Sequence, residues 1–151
     1  MLPSLVAMDE KLDRIQKSLD EYLETKRQAF PRFYFLSNDD LLEILGQARD
    51  PLAVQPHMRK CFEAVKTLEI KEASREGKRV HEAHALNSPD GEVVPLLSPV
   101  VCGGPVEGWL LAVEGAMTST LSAALFRCYA ELKKSKREKW IKDWAGQLTL
   151  A

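Results

Sequence analysis

Apolar residues recur along the first part of the chain at Leu5, Met8, Leu12, Ile15, Leu19 and Tyr22. The steps alternate between three and four, the stripe of a helix packed on one side. Glu10 with Arg14 and Asp13 with Lys17 stand four apart, acid first, which supports the same helix. The stripe breaks at Lys26, and Pro31 forbids a regular continuation while pushing Phe30 toward extended geometry. Phe33-Tyr34-Phe35-Leu36 is short and apolar and reads as either a buried strand or a packed turn. Ser37-Asn38-Asp39-Asp40 is a cluster of helix-starting residues. Leu41, Leu42, Ile44 and Leu45 then make a short amphipathic helix ended by Gly46. A further segment opens at Asp50-Pro51 and contains Pro56, with Val54, Met58, Phe62 and Val65 spaced for one helical face.

The pattern changes at Leu68, where apolar residues lie among turn residues. Ser88-Pro89-Asp90-Gly91 is a turn, because Pro presets one φ and Gly permits a positive one. Lys78–Leu86 and Glu92–Leu97 therefore predict a β-hairpin. Pro95 and Pro99 each remove a ladder donor, which makes the second strand an edge. After Gly103-Gly104, Pro105 suits the first turn of a helix and Glu107 its positive end. Val106, Trp109, Leu110, Val113, Met117, Leu121, Leu125, Cys128 and Leu132 form its long apolar stripe. The fold class is α+β and predominantly helical, with long amphipathic helices and a small antiparallel β-hairpin. The single segment 1–151 divides into helical residues 1–66, a hairpin region 67–101, helical residues 102–144 and a truncated strand at 145–151.

Composition narrows the function classes. Lys and Arg total 21 and Asp and Glu 22, a net charge of -1, so no basic surface calls for nucleic acid or an anionic membrane. Hydrophobic residues at 45% and charged residues at 28% suit a globular chain. No apolar run approaches the ~20 residues of a membrane span, and Met1–Glu10 lacks the basic start of a signal peptide. Cys61, Cys102 and Cys128 are odd in number and widely spaced, which argues against a disulfide framework and for a reducing, cytoplasmic setting.

Candidate chemistry is sparse. His81-Glu82-Ala83-His84 places two His three apart in a strand, where they face opposite sides, whereas a zinc-protease helix needs them four apart. His57 follows Pro56 at a helix start and reads as a structural or capping residue. Asp39 and Asp40 read as first-turn helix residues. Gly103 and Gly108 have P-loop separation, but Trp109-Leu110 stands where Lys and Ser/Thr are required. The residues predict no catalytic, cofactor or metal site. The run Lys133, Lys134, Lys136, Arg137 and Lys139 reads as a solvated helix end.

Several segments together carry a resemblance. They are Tyr22-Leu23-Glu24-Thr25-Lys26-Arg27, the block Phe30-Pro31-Arg32-Phe33-Tyr34-Phe35-Leu36-Ser37-Asn38-Asp39-Asp40-Leu41-Leu42-Glu43-Ile44-Leu45, and Ala53-Val54-Gln55-Pro56-His57-Met58-Arg59-Lys60-Cys61-Phe62-Glu63. Ser88-Pro89-Asp90-Gly91-Glu92-Val93-Val94, Val106-Glu107-Gly108-Trp109-Leu110 with Val113-Glu114, and Trp144-Ala145-Gly146-Gln147 continue the series. Together they resemble the linker region of dynein heavy chains, the axonemal branch more than the cytoplasmic one. Ala145 stands where that family usually has Pro, and Met117–Lys139 matches loosely.

The resemblance implies a mechanical linker segment of a microtubule motor. In such a motor an arm lies across a ring of AAA+ modules, and its bending couples ATP hydrolysis to minus-end-directed movement and ciliary or flagellar beating. The implied partners are the ring of the same heavy chain and, through the parent chain, microtubules and other dynein chains. ATP and Mg belong to the ring, with no cofactor in this segment, and the setting is the axonemal cytoskeleton. A different class, a free-standing helical adaptor, would not need the whole ordered series. A metal-dependent hydrolase on His81 and His84 would need a third ligand. The apolar patterns place Phe33, Phe35 and Trp109 in the core. The hairpin is expected to project from the helical body and to be dispensable for folding, with Arg79, His81 and Glu92 near its turn as candidate ring contacts.

Overall fold

The computed structural model describes residues 2–75, 77–134 and 136–143, with side chains from Ser4 onward. The first helix, α1, runs Leu2–Ala29, three residues past Lys26. Pro31 then opens a 3-10 turn, Pro31–Phe35, which resolves the aromatic block as a packed turn rather than a strand. Helix α2, Asn38–Gly46, starts where the polar cluster predicts. The Ser37 hydroxyl accepts the Asp40 N–H at 3.2 Å and donates to the Asp40 carboxylate at 2.8 Å. That cap satisfies one of the helix's unpaired amides.

No continuous helix follows. Turns lead into a short 3-10 segment, Gln55–His57, and a four-residue helix α3, Met58–Cys61. Val54, Met58, Phe62 and Val65 are all buried nonetheless. The Gln55 side chain mimics a strand here, donating to the Leu68 carbonyl at 2.9 Å and accepting the Leu68 N–H at 2.8 Å.

The β region holds a three-stranded antiparallel sheet rather than a lone hairpin. Strands β1, Thr67–Arg75, β2, Lys78–Asn87, and β3, Val93–Cys102, lie in the order β1-β2-β3. The proline-bearing β3 is an edge. The β2–β3 turn forms at Ser88–Gly91, with Gly91 at φ +88 and the Ser88 N–H bonded to the Glu92 carbonyl at 2.8 Å. Strand β1 is missing from the sequence expectations because only Leu68 among its residues is fully buried, which leaves little alternation to detect.

The sheet belongs to the core, which corrects the expectation of a projecting, dispensable hairpin. Leu68, Ala83, Leu86, Leu96 and Cys102 join one buried cluster with Leu23, Phe30, Phe33, Leu41, Ile44 and Met58. Helix α4, Val106–Leu132, covers that cluster with Val106, Trp109, Leu110 and Val113. It also meets β3 through Thr120, whose hydroxyl accepts the Leu97 N–H at 3.1 Å. Helix α4 is long and apolar enough, by length and composition, to cross a membrane, which corrects the expectation that no apolar run approaches that length. Its first half is nevertheless committed to this core. Helix α5, Arg137–Asp143, folds back, and its Trp140 indole donates to the Cys128 carbonyl at 2.7 Å. Trp144 and the strand expected at 145–151 lie outside the described residues.

Phe30 and Phe33 pack edge to face with centroids 4.9 Å apart, both fully buried. Phe35 is 73% exposed, which corrects its core assignment. A 3-10 turn of about three residues per turn presents Phe33 inward and swings Phe35 away. Trp109 is 3% exposed. Trp109→Ala should therefore cost ~3–5 kcal/mol, while Phe35→Ala should stay within about 0.5 kcal/mol of the parent. Parallel thermal or urea denaturation of the two variants checks this, and equal losses would contradict the placement.

Candidate functional site

The residues singled out for a ring contact do not converge. Arg79 pairs with Ser74 and His81 with Glu72 and Cys102, close to the β1–β2 connection. Glu92 sits beside the β2–β3 turn, at the other end of the sheet. Eight strand steps separate Arg79 from Asn87, roughly 25 Å at the usual rise. Antiparallel order puts successive turns at opposite ends, so the premise that all three lie near Asp90-Gly91 is corrected. His84 has its Nε2 3.4 Å from the buried Glu82 carboxylate, which also accepts from Arg75 Nε at 2.5 Å.

The strongest polar constellation joins α1 and the 3-10 turn after it to α4. Lys26, in the last turn of α1, lies 2.6 Å from Glu107 in the first turn of α4. Arg32 Nε lies 2.9 Å from Glu114 Oε1, and its Nη1 donates to the Cys61 carbonyl at 3.2 Å. The Arg32 guanidinium also stands 4.7 Å from the centre of the Phe62 ring. Glu107 and Glu114 are seven residues apart, so they share one face of α4. Two part-buried ion pairs thus clamp the chain at two heights along one helix. Composition points to no such clamp, because the partners stand 81 and 82 residues apart.

The Lys26–Glu107 pair shapes both titrations. The Glu107 hydrogen bond is the main cause that raises Lys26 above its usual 10.5, against the opposing effect of burial. Burial pushes Glu107 upward, but hydrogen bonds from Lys26 and its own backbone N–H, with the Lys26 charge, leave it below its usual 4.5.

A second feature is an uncovered apolar face. Every side chain from Ser4 to Ser18 is exposed, and Leu5, Val6, Met8, Leu12 and Ile15 are each more than half so. The predicted helix is present, but within the described residues its stripe meets nothing until Leu19 and Leu23 reach the core. A third is a buried imidazole between two acids. His57 is 6% exposed, with Nδ1 3.7 Å from Asp40 Oδ1 and Nε2 3.5 Å from Glu43 Oε2. All three cysteines are buried thiols, and burial pushes Cys61 and Cys102 up to about 11, which makes them poor nucleophiles at neutral pH.

Comparison with known proteins assigns the chain. The family described as dynein heavy chain, N-terminal region 2, matches residues 1–128. The chain belongs to the dynein heavy chain family. It is 55% identical to dynein axonemal heavy chain 2 of Mus musculus, over 99% of this chain. It is 51% identical to the dynein-1-beta heavy chain of the flagellar inner arm I1 complex of Chlamydomonas reinhardtii, also over 99% of this chain. Dynein axonemal heavy chain 1 of Homo sapiens is 44% identical over 100% of it. The chain spans about 3% of the length of each of these dynein relatives. They are heavy chains of ciliary and flagellar axonemes, as the resemblance of the aromatic block implies.

The pH dependence of this dynein segment follows from the clamp. A depressed carboxyl contributes stability that is present above 4.5 and lost as pH falls through its folded value. A raised ammonium contributes stability present below 10.5 and lost as pH rises through its folded value. Glu107→Gln should therefore flatten the fall of melting temperature below pH 4.5 relative to the parent chain. Equal acid slopes in the two proteins would contradict the clamp.

Proposed function

We propose that this chain is a segment of the linker arm of an axonemal dynein heavy chain, passing conformational change in the motor ring on to movement along microtubules in the axoneme. The observation that carries this reading is the double clamp that ties α1, through Lys26, and the aromatic turn, through Arg32, to α4. A lever must resist bending, and here close packing is reinforced by Lys26–Glu107 and Arg32–Glu114 on one face of one helix. The uncovered face of α1 supports a segment that continues into more of the same heavy chain. Its length, 15 exposed residues from Ser4 to Ser18, gives about 22 Å of helix for that purpose.

On this reading the segment carries no catalytic site and no cofactor. ATP and Mg act in the ring of the parent chain, and the segment's partners are that ring and the rest of the heavy chain, not nucleic acid or membrane. The basis is the one already given: Trp109-Leu110 occupies the positions where a phosphate-binding loop needs Lys and Ser or Thr.

Two measurements test the proposal. Titration calorimetry of the chain with Mg-ATP should be flat, and saturable micromolar binding would contradict a non-nucleotide segment. In a complete heavy chain, Arg32→Ala with Glu114→Ala should slow microtubule gliding while leaving basal ATPase largely intact. Unchanged gliding speed would argue that the clamp transmits no force.

A further inference from the structure

We propose that the second half of α4 is a docking surface for an acidic amphipathic helix of a partner protein. Past Glu114, whose carboxylate is held by Arg32, the same side of α4 carries Leu121, Leu125, Tyr129 and Leu132. Seven residues separate Glu114 from Leu121, and the later steps are four, four and three, so all five share one face. Leu121 is 39% exposed, Tyr129 56% and Leu132 38%, which leaves the row open to solvent. Phe126, three residues before Tyr129 and 72% exposed, flanks the row. The opposite side of α4 is already committed, with Thr120 bonded to β3 and the Cys128 carbonyl to Trp140.

The shape of the row selects a helix. Leu121, Leu125 and Tyr129 stand four apart and form one i±4 ridge, the feature that seats in the groove of a second helix. An exposed apolar patch with aromatic anchors and a charged rim has the composition of an interface.

The charge around the row selects the partner's sign. From Arg127 to Asp143 the chain carries seven Lys or Arg and three Asp or Glu, although the whole chain is at -1. Lys134 is paired with Glu131 at 3.0 Å, and Lys133 lies 4.9 Å from the centre of the Tyr129 ring. Arg127, Lys136, Arg137 and Lys139 have no ion-pair partner among the described residues. Helix α5 folds back on Cys128 through Trp140, which keeps Arg137 and Lys139 at this end of α4. A partner helix with Leu-like residues on one side and Asp or Glu at its edges answers both features. Its carboxylates beside these cations steer the encounter and fix the register. The cations cluster at one end of the row, whereas a helix lying on a membrane carries them along its polar face. The surface is set by this chain alone and does not depend on the linker reading.

The test uses the whole chain and a fluorescein-labelled synthetic helix as probe, with Leu at heptad positions a and d, Glu at e and g, and Ala elsewhere. Fluorescence anisotropy should show saturable binding that weakens as salt rises. A matched peptide with Lys in place of Glu should bind at least about tenfold more weakly. Phe126→Ala with Tyr129→Ala should weaken binding of the Glu peptide by at least about tenfold. Both rings are exposed, so this variant should keep the melting temperature of the parent. Leu12→Glu, on the exposed stripe of α1, should bind like the parent. With phosphatidylserine vesicles, the chain should stay in the supernatant on sedimentation. No saturable binding, equal binding of the two peptides, undiminished binding by the Phe126 and Tyr129 variant, loss of binding in Leu12→Glu, or pelleting with the vesicles would each overturn the assignment.

Discussion

Everything in this chain is organised by the docking of the first half of α4. Val106, Trp109, Leu110 and Val113 are each at most 3% exposed, and they touch a core drawn from α1, the aromatic turn, α2 and the sheet. Without that helix the apolar side chains that β3 and α1 turn toward it would face water. Packing against a helix is one of the ways in which a small sheet becomes stable. Burial on this scale is the dominant favourable contribution in folding. The two ion pairs add direction to it. Glu107 and Glu114 fix how α4 sits relative to Lys26 and Arg32, and part-burial makes each pair less screened than one in free solution.

The same arrangement explains why α1 behaves as two halves. From Leu23 on, its apolar side chains belong to the core, and its last turn carries Lys26 into the clamp. Before Leu19 it has an apolar stripe with nothing on it among the described residues. An uncovered face of this kind marks an interaction surface. On the proposed linker reading, the rest of the heavy chain supplies the cover. The chain is then best understood as a packed body with a helical arm.

What can be read from the sequence follows from how local each signal is. The Ser37 cap, Gly46, the Ser88–Gly91 turn and the edge placement of β3 are set by a few adjacent residues, and each stands where expected. The stripe of α1 correctly marks a helix, but periodicity says only that a face is apolar, not that this chain covers it. Phe35 misleads because aromatic composition does not reveal a 3-10 turn, which sends neighbouring side chains in different directions. Strand β1 is hidden by its polar, edge-strand character. Arg79 and Glu92 look like neighbours only while nearness in residue number stands for nearness in space. The clamp and the His57 cluster depend on contacts across the fold. Asp40 and His57 each have a plain local explanation, and only the tertiary structure brings them together.

The central claim is that a single cooperative body, closed by the first half of α4, carries an arm of separate stability. Native-state hydrogen exchange of the chain, resolved by residue, tests it most directly. The account predicts that amides of β2, of α2 and of Val106–Val113 exchange only by global opening, with one shared free energy. Amides from Leu5 to Lys17 should exchange through local fraying, with far less protection. Protection of Leu5–Lys17 equal to that of Val106–Val113, or early exchange of Val106–Val113 while β2 stays closed, would contradict the account.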